Sequence, residues 1–193
     1  MNSGLLYFPE GRKPAPAFAN RLELTASTSW SCPPDIVYAR VTVIGGGGGG
    51  GNDTAPNDWK GGGGGAGEYA QSILQVQPGW TYVVTVGAGG AMDNPGTDSS
   101  FGDNLVLAKA GGAGAAAAAG AGGAGGVGGT GGVGDILSRG NDGSTGGNSV
   151  TVAGAVQPMV GLAAGAAGAA GPYDGYGGGS GAAGHAGKVI IEF

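Results

Sequence analysis

Runs of glycine constrain what this chain can fold into more than any other feature. Residues 45–51 are seven consecutive glycines, residues 61–65 are five more, and a polar insert, NDTAPNDWK, separates the two runs. Glycine loses more conformational freedom on folding than any other residue, so an ordered glycine run needs many compensating contacts. The first run directly follows a β-forming stretch, ARVTVI at 39–44. It can be interpreted as a phosphate-binding loop, a flexible linker or part of a folded scaffold.

The overall composition favours the folded scaffold. Glycine and proline supply 50 and 10 of the 193 residues, a share typical of low-complexity chains. Disordered chains also have few apolar residues and many charges. Here 40% of the residues are hydrophobic and only 11% are charged. We therefore expect one folded domain at 21–193, preceded by an extended arm at 1–20 that contains three prolines.

Charge and rare residues exclude several function classes. A formal charge of −5 with eight Lys and Arg residues argues against nucleic-acid binding, which needs a basic face. Cys32 and His185 are the only residues of their types, so a disulfide framework, a cysteine or histidine metal cluster and an imidazole-based triad are not expected. Residues 1–20 lack the apolar core of a signal peptide. No stretch is apolar for about 18 residues, which predicts no membrane insertion.

Glycine-rich motifs with known binding chemistry do not match this sequence. A dinucleotide-binding glycine loop opens a helix, whereas residues 52–60 form a polar insert. The phosphate-binding G-x-x-x-x-G-K-[ST] motif is absent, and GGVGDI at 131–136 departs from the calcium-binding nonapeptide repeat. We expect no enzymatic activity, no cofactor and no bound metal.

Short apolar alternations predict a mainly β fold. RLELTAS at 21–27 alternates, and so does VYARVTV at 37–43, with Val37, Ala39, Val41 and Val43 on one face. Two β-rich runs flank Pro78-Gly79 and predict a β-hairpin, with further strands in NLVLAKA at 104–110 and GKVIIEF at 187–193. No segment has the pattern and length of a stable helix. The expected architecture is an antiparallel β-sandwich-like base.

The remaining glycine has a period of three. Between 122 and 134 two glycines alternate with one larger residue, and the larger residues are Ala124, Val127, Thr130 and Val133. Three residues per turn is the geometry of polyproline II, which glycine can adopt while keeping its N–H donors. We expect short polyglycine II helices packed through backbone hydrogen bonds, with turns in 138–148 and 171–179. Collagen is disfavoured because these triplets are few and contain no proline.

The order of these segments resembles the glycine-rich domain at the ends of bacteriophage tail fibre proteins. The resemblance covers about residues 22–193 and depends on TSWSCPPDIVYARVTVIGGGGGGG, GGGGGAGEYAQSILQVQPGWTYVVTVGAGG, GTDSSFGD and the terminal GAAGHAGKVIIEF. It implies a structural virion protein of the tail fibre or tail tip, assembled in the host cytoplasm. It also implies that loops carried by polyglycine II helices recognise a host surface protein or glycan. Trimeric fibres favour a homo-oligomer.

The resemblance gives no residue-by-residue site, so candidates come from polar, aromatic segments bounded by glycine. Candidate receptor-binding residues are Asn57, Asp58, Trp59, Lys60, Tyr173, Asp174 and Tyr176. The alternative for these aromatic residues is a local cap over the glycine array. Candidate residues for attaching the arm to other tail or virion proteins are Tyr7, Phe8, Pro14, Pro16 and Phe18.

Two other functions fit the pattern less well. A virion decoration or connector protein would contact only other phage proteins, and the short chain, without a shaft, leaves this open. An ice-binding polyglycine II protein would need a regular Thr or Ala face. Only Thr130 among the four triplet side chains is a threonine.

Overall fold

The computed structural model describes residues 18–53, 59–118, 120–146 and 182–193. In these ranges the chain forms strands and no helix. The strands are β1 (Arg21–Leu24), β2 (Thr28–Ser31), β3 (Tyr38–Ile44), β4 (Tyr69–Gln75), β5 (Thr81–Thr85), β6 (Ser99–Phe101), β7 (Val106–Ala108), β8 (Ile136–Ser138) and β9 (Lys188–Glu192). They build two antiparallel sheets, ordered β1-β9-β3-β4-β8 and β2-β5-β6-β7. The predicted β-sandwich-like base is confirmed.

The core lies between the two sheets. Ala39, Val41 and Val43 alternate along β3 and are fully buried, as the sequence predicts, whereas Val37 precedes the strand and is 49% exposed. The opposite sheet contributes an aromatic cluster in which the Tyr82 and Phe101 rings stack with centroids 5.2 Å apart. The core also encloses Cys32, and burial raises the pKa of its thiol. The thiol is therefore protonated at neutral pH and acts as a small apolar side chain.

The predicted hairpin across Pro78-Gly79 is wrong in its pairing, although its turn and both strands exist. Gly79 has φ +77, and the N–H of Trp80 donates to the carbonyl of Gln77 at 3.1 Å, as the turn chemistry predicts. However, β4 pairs with β3 and β8, while β5 pairs with β2 and β6. Both edges of β4 are already occupied, so the turn carries the chain across the core into the other sheet.

Two predicted turns are also strands or extended segments. The sequence SSFG at 99–102 also predicts a corner, but Ser99–Phe101 forms β6 between β5 and β7. The reversal comes later, at Asp103 and Asn104, which have φ 55 and 68. Residues 139–146, expected as a turn, bond laterally to two other glycine segments. The polar residues of this segment suit a turn, but its glycines recur every third position and fit the array.

Within the described residues, eight extended glycine-rich segments, which we call rods, continue from one end of the sandwich. In chain order rods 1 to 8 are residues 45–52, 60–68, 87–91, 94–98, 109–118, 121–133, 139–146 and 182–187. Seven residues of such a rod span about 22 Å at the polyproline II rise. Rods 1 and 2 are the two glycine runs, so both are parts of a scaffold.

Rod 1 shows the period of three in its hydrogen bonds. The N–H groups of Gly45, Gly48 and Gly51 donate to rod 2 at 2.9, 2.9 and 2.8 Å. The next N–H groups along the chain, of Gly46 and Gly49, donate to rod 4 at 3.0 and 2.8 Å. Those of residues 47 and 50 donate to rod 8 at 2.9 and 2.8 Å. Each third donor thus meets the same neighbour, which is the geometry of three residues per turn.

Close backbone packing explains why these positions are glycine. A Cβ atom added at Gly48 would lie 2.0 Å from the carbonyl oxygen of Gly112 in rod 5. At Gly49 and Gly51 it would lie 1.9 Å from the carbonyl oxygens of Ala91 and Ala115. A nonbonded carbon atom does not approach a carbonyl oxygen that closely. Any side chain larger than the hydrogen of glycine would therefore force the neighbouring rods apart.

Glu68 joins the array to the sandwich. Its side chain is 2% exposed, and Oε2 accepts the backbone N–H groups of Lys109 at 3.1 Å and Gly132 at 2.8 Å. Its own backbone bonds to rods 5 and 1 through Lys109 and Gly45. The carboxylate therefore supplies an acceptor to two rods at the point where they leave the sheets.

We expect Glu68→Ala to lower the free energy of unfolding by about 1 to 3 kcal/mol, because two part-buried backbone donors lose their acceptor. Glu68→Gln keeps a carbonyl oxygen at the same place and is expected to cost less than half as much. Urea unfolding of the two variants measures both values. An alanine variant within about 0.5 kcal/mol of the wild-type chain would contradict this role for the carboxylate.

Candidate display surface

The chain enters and leaves the domain at the end of the sandwich farthest from the rods. β3 runs towards the array and continues into rod 1, whereas β9 leaves rod 8 and runs away from it. The register pairs Arg21 with Glu192, so β1 begins beside the end of β9. Asn20 and Phe193 exchange backbone hydrogen bonds of 2.8 and 3.0 Å. We call this end the base.

The described ends of the rods that lie away from the sandwich gather at the opposite end of the molecule, which we call the tip. Rods 1 and 2 are joined through residues 53–59, rods 3 and 4 through 92–93, rods 5 and 6 through 119–120, and rods 7 and 8 through 147–181. The tip is defined by the described ends of these rods. Loops that leave and re-enter a laterally bonded array start from fixed positions, which favours presentation of their side chains to a partner.

Carboxylates fix the tip end of rods 1 and 2. Asp53 accepts the backbone N–H of Gly61 at 2.8 Å through Oδ1 and the Lys60 ammonium at 3.1 Å through Oδ2. Asp93 accepts the backbone N–H of Asn52 at 2.9 Å. Lys60 is exposed and Trp59, immediately before it, is half-buried. Consecutive residues at the start of rod 2 therefore supply a partly exposed aromatic ring and an oriented cation.

Only part of the predicted receptor-binding set can be placed. Trp59 and Lys60 lie at the tip, while Asn57, Asp58, Tyr173, Asp174 and Tyr176 lie outside the described residues. The described residues that flank them, at 53 and 59 and at 146 and 182, are at the tip. Both predicted segments are therefore connected to the same end of the molecule.

Of the predicted attachment residues, only Phe18 lies in the described part of the chain. Tyr7, Phe8, Pro14 and Pro16 lie outside the described residues. Phe18 is at the base, where its ring centroid is 5.1 Å from Cζ of Arg40. This contact is a cation–π interaction with the outer face of the five-stranded sheet.

Sequence reasoning missed a third tip connection. Met92 is 41% exposed in the turn between rods 3 and 4, and Asp93 adopts φ 63. The signal was available, because Asp93, Asn94, Pro95 and Gly96 are all residues that favour turns.

A second exposed surface runs along rod 6. The side chains at every third position of this rod are exposed: Ala121, Ala124, Val127, Thr130 and Val133. Beside the row, Asp142 of rod 7 accepts the backbone N–H of Gly128 at 2.7 Å. That bond and Arg139 lower the pKa of Asp142, so its carboxylate stays ionised at neutral pH. The row has one threonine and is otherwise apolar.

The described residues contain neither a cluster of metal ligands nor a helix that could span a membrane. Among them there is no group of three or more His, Cys, Asp or Glu side chains arranged to hold a metal ion. Within the same ranges no helix has the length and apolar character to cross a membrane.

Comparison with known proteins identifies the domain type. No curated protein matches the chain at a significant level. The family called glycine-rich domain matches residues 23–190, which include every strand except part of the first and part of the last. The match extends over both glycine runs, the sandwich and the triplet region. The chain therefore belongs to the glycine-rich domain family.

Proposed function

We propose that this chain is a structural bacteriophage virion protein of the tail fibre or tail tip, which binds without catalysis. Its base is held by other tail proteins, and its tip contacts a protein or glycan on the host surface. The observation that carries the proposal is polarity: Asn20 and Phe193 lie together at the base, and the described ends of the rods gather at the tip. The order of segments, which resembles tail fibre domains, supplies the virion context.

The hydrogen bonds between rods allow the array to bear a force that is applied when the tip binds a surface. Rod 1 is bonded through its N–H groups to rods 2, 4 and 8, and its carbonyls accept from rods 3 and 5. A force applied at the tip is thereby shared among several rods that each continue into a strand. Such a support holds loops in place without a large hydrophobic core.

Trp59 is the residue best suited to contact a receptor. It is half-buried, so its ring is anchored while part of its surface remains available. Trp and Tyr contribute strongly to interface hot spots because they bring a large area at low entropic cost, and an aromatic face also stacks on sugar rings. Lys60, oriented by Asp53, adds a charged donor beside it.

We expect Trp59→Ala to slow adsorption of phage particles to host cells by about tenfold or more, the effect of losing a hot-spot side chain. Trp80 is a matched control, because it is 59% exposed in the loop between β4 and β5 at the base. Trp80→Ala particles that incorporate the protein normally should adsorb at the wild-type rate. Equal adsorption by Trp59→Ala, Trp80→Ala and wild-type particles would contradict receptor contact at Trp59.

The position of the protein in the particle tests the broader assignment. Antibody labelling in electron micrographs should mark the tail fibre or tail tip. Labelling of the head, together with normal adsorption of particles that lack the protein, would contradict the proposal and favour a decoration protein that contacts only other virion components.

A further inference from the structure

The outer face of the five-stranded sheet carries two exposed apolar side chains near its base end. Ile73 of β4 is 53% exposed and Tyr38 of β3 is 43% exposed. The register pairs Arg40 with Ile73, and Tyr38 lies two residues before Arg40 on the same strand face. Phe18 packs on Arg40 from outside the sheet. We call Phe18, Tyr38, Arg40 and Ile73 the base patch.

The charge within the base patch is compensated. The Arg40 guanidinium donates to both carboxylate oxygens of Glu192, at 2.6 and 2.7 Å. This bond raises the pKa of Arg40 and lowers that of Glu192, so both groups are ionised together at neutral pH. A paired guanidinium offers its flat face to aromatic rings, as the Phe18 contact shows. The base patch therefore suits an apolar and aromatic partner segment.

The chain carries such a segment just upstream of the patch. Residues 5–8 read LLYF, the longest unbroken apolar run within residues 1–17. Residues 9–17 connect them to Phe18 and include Pro9, Pro14 and Pro16. An extended proline-rich stretch of nine residues spans about 28 Å, whereas five strands are only about 19 Å across. Residues 9–17 are therefore long enough to bring residues 5–8 to the base patch of a second copy.

We propose that residues 5–8 of one copy dock on the base patch of a second copy. Each copy supplies one arm and one patch, so reciprocal docking joins identical subunits at their bases and leaves the tips free. Leu5, Leu6, Tyr7 and Phe8 supply apolar side chains that cover Tyr38 and Ile73, which are 43% and 53% exposed. The proposal does not depend on the virion role, since self-association is measured on the purified chain.

Point variants of the full chain test the docking. The arm variant carries Leu6→Asp and Phe8→Asp, and the patch variant carries Ile73→Asp. The control is Val127→Asp, which places the same charge at an apolar site on rod 6 that is 61% exposed. Molar mass is measured by light scattering over a range of concentrations, and circular dichroism checks that each variant keeps the wild-type thermal transition.

The wild-type chain and the control should associate at micromolar concentration, while the arm variant and the patch variant should each be monomers. An equimolar mixture of these two variants should recover association, because it contains one intact arm and one intact patch. A monomeric wild-type chain at about 100 μM, an associating patch variant, or a mixture that stays monomeric would each overturn the proposal.

Discussion

Gly48→Ala should destabilise the folded chain by more than about 3 kcal/mol, a large fraction of the roughly 5 to 15 kcal/mol by which an ordinary domain is stable. The added Cβ would lie 2.0 Å from the carbonyl oxygen of Gly112 and 2.4 Å from its carbon, both backbone atoms that no side-chain rotation can move. Alanine restricts the unfolded chain and by itself stabilises by about 0.4 to 1 kcal/mol. The steric cost is several times larger, so the net effect is destabilising.

Gly112→Ala provides the matched control in the neighbouring rod. There the nearest atom to an added Cβ is the carbonyl oxygen of Val127, at 3.2 Å. A shift of a few tenths of an ångström accommodates that methyl group, and we expect a change within about 1 kcal/mol. Denaturant unfolding of both variants measures the two changes in the free energy of unfolding. Equal, small effects at Gly48 and Gly112 would show that rod 1 is not packed against rod 5.

The sequence predicted individual strands and rods of this fold, but it could not predict how the strands pair. The alternation that buries Ala39, Val41 and Val43 was sufficient to predict β3, and the triplet period was sufficient to predict rod 6. Pairing could not be predicted, because a type II turn at Pro78-Gly79 is compatible with a hairpin and with a crossing between sheets. Which of the two forms depends on the strands that pair with the two edges of β4, and one of these strands, β8, lies far away in the sequence.

Part of the tip could also be predicted, because some of its residues stand out locally in the sequence. The insert at 52–60 stands out because glycine bounds it on both sides, so Trp59 and Lys60 could be chosen from sequence. The role of Asp53 could not, since it depends on the N–H of Gly61 arriving at 2.8 Å from a neighbouring rod. Glu68 was missed for the same reason: a glutamate before a β-strand gives no sign that it accepts N–H groups from residues far along the chain.

Hydrogen exchange at rod 1 distinguishes a bonded scaffold from a linker. Each N–H from Gly45 to Gly51 has a carbonyl acceptor in another rod, at distances of 2.8 to 3.0 Å. A linker of the same sequence would leave all seven groups bonded to water. Exchange of an amide in a packed array requires an opening that costs much of the global stability, whereas a linker amide exchanges without opening.

The most direct test of the scaffold is therefore residue-resolved amide exchange by NMR on the full chain. We predict that the amides of residues 45–51 exchange at least about 10³-fold more slowly than unstructured glycine, which corresponds to an opening free energy of about 4 kcal/mol. Their protection should match that of β3, into which rod 1 continues. Exchange of these seven amides at the unstructured rate, with β3 still protected, would contradict the account.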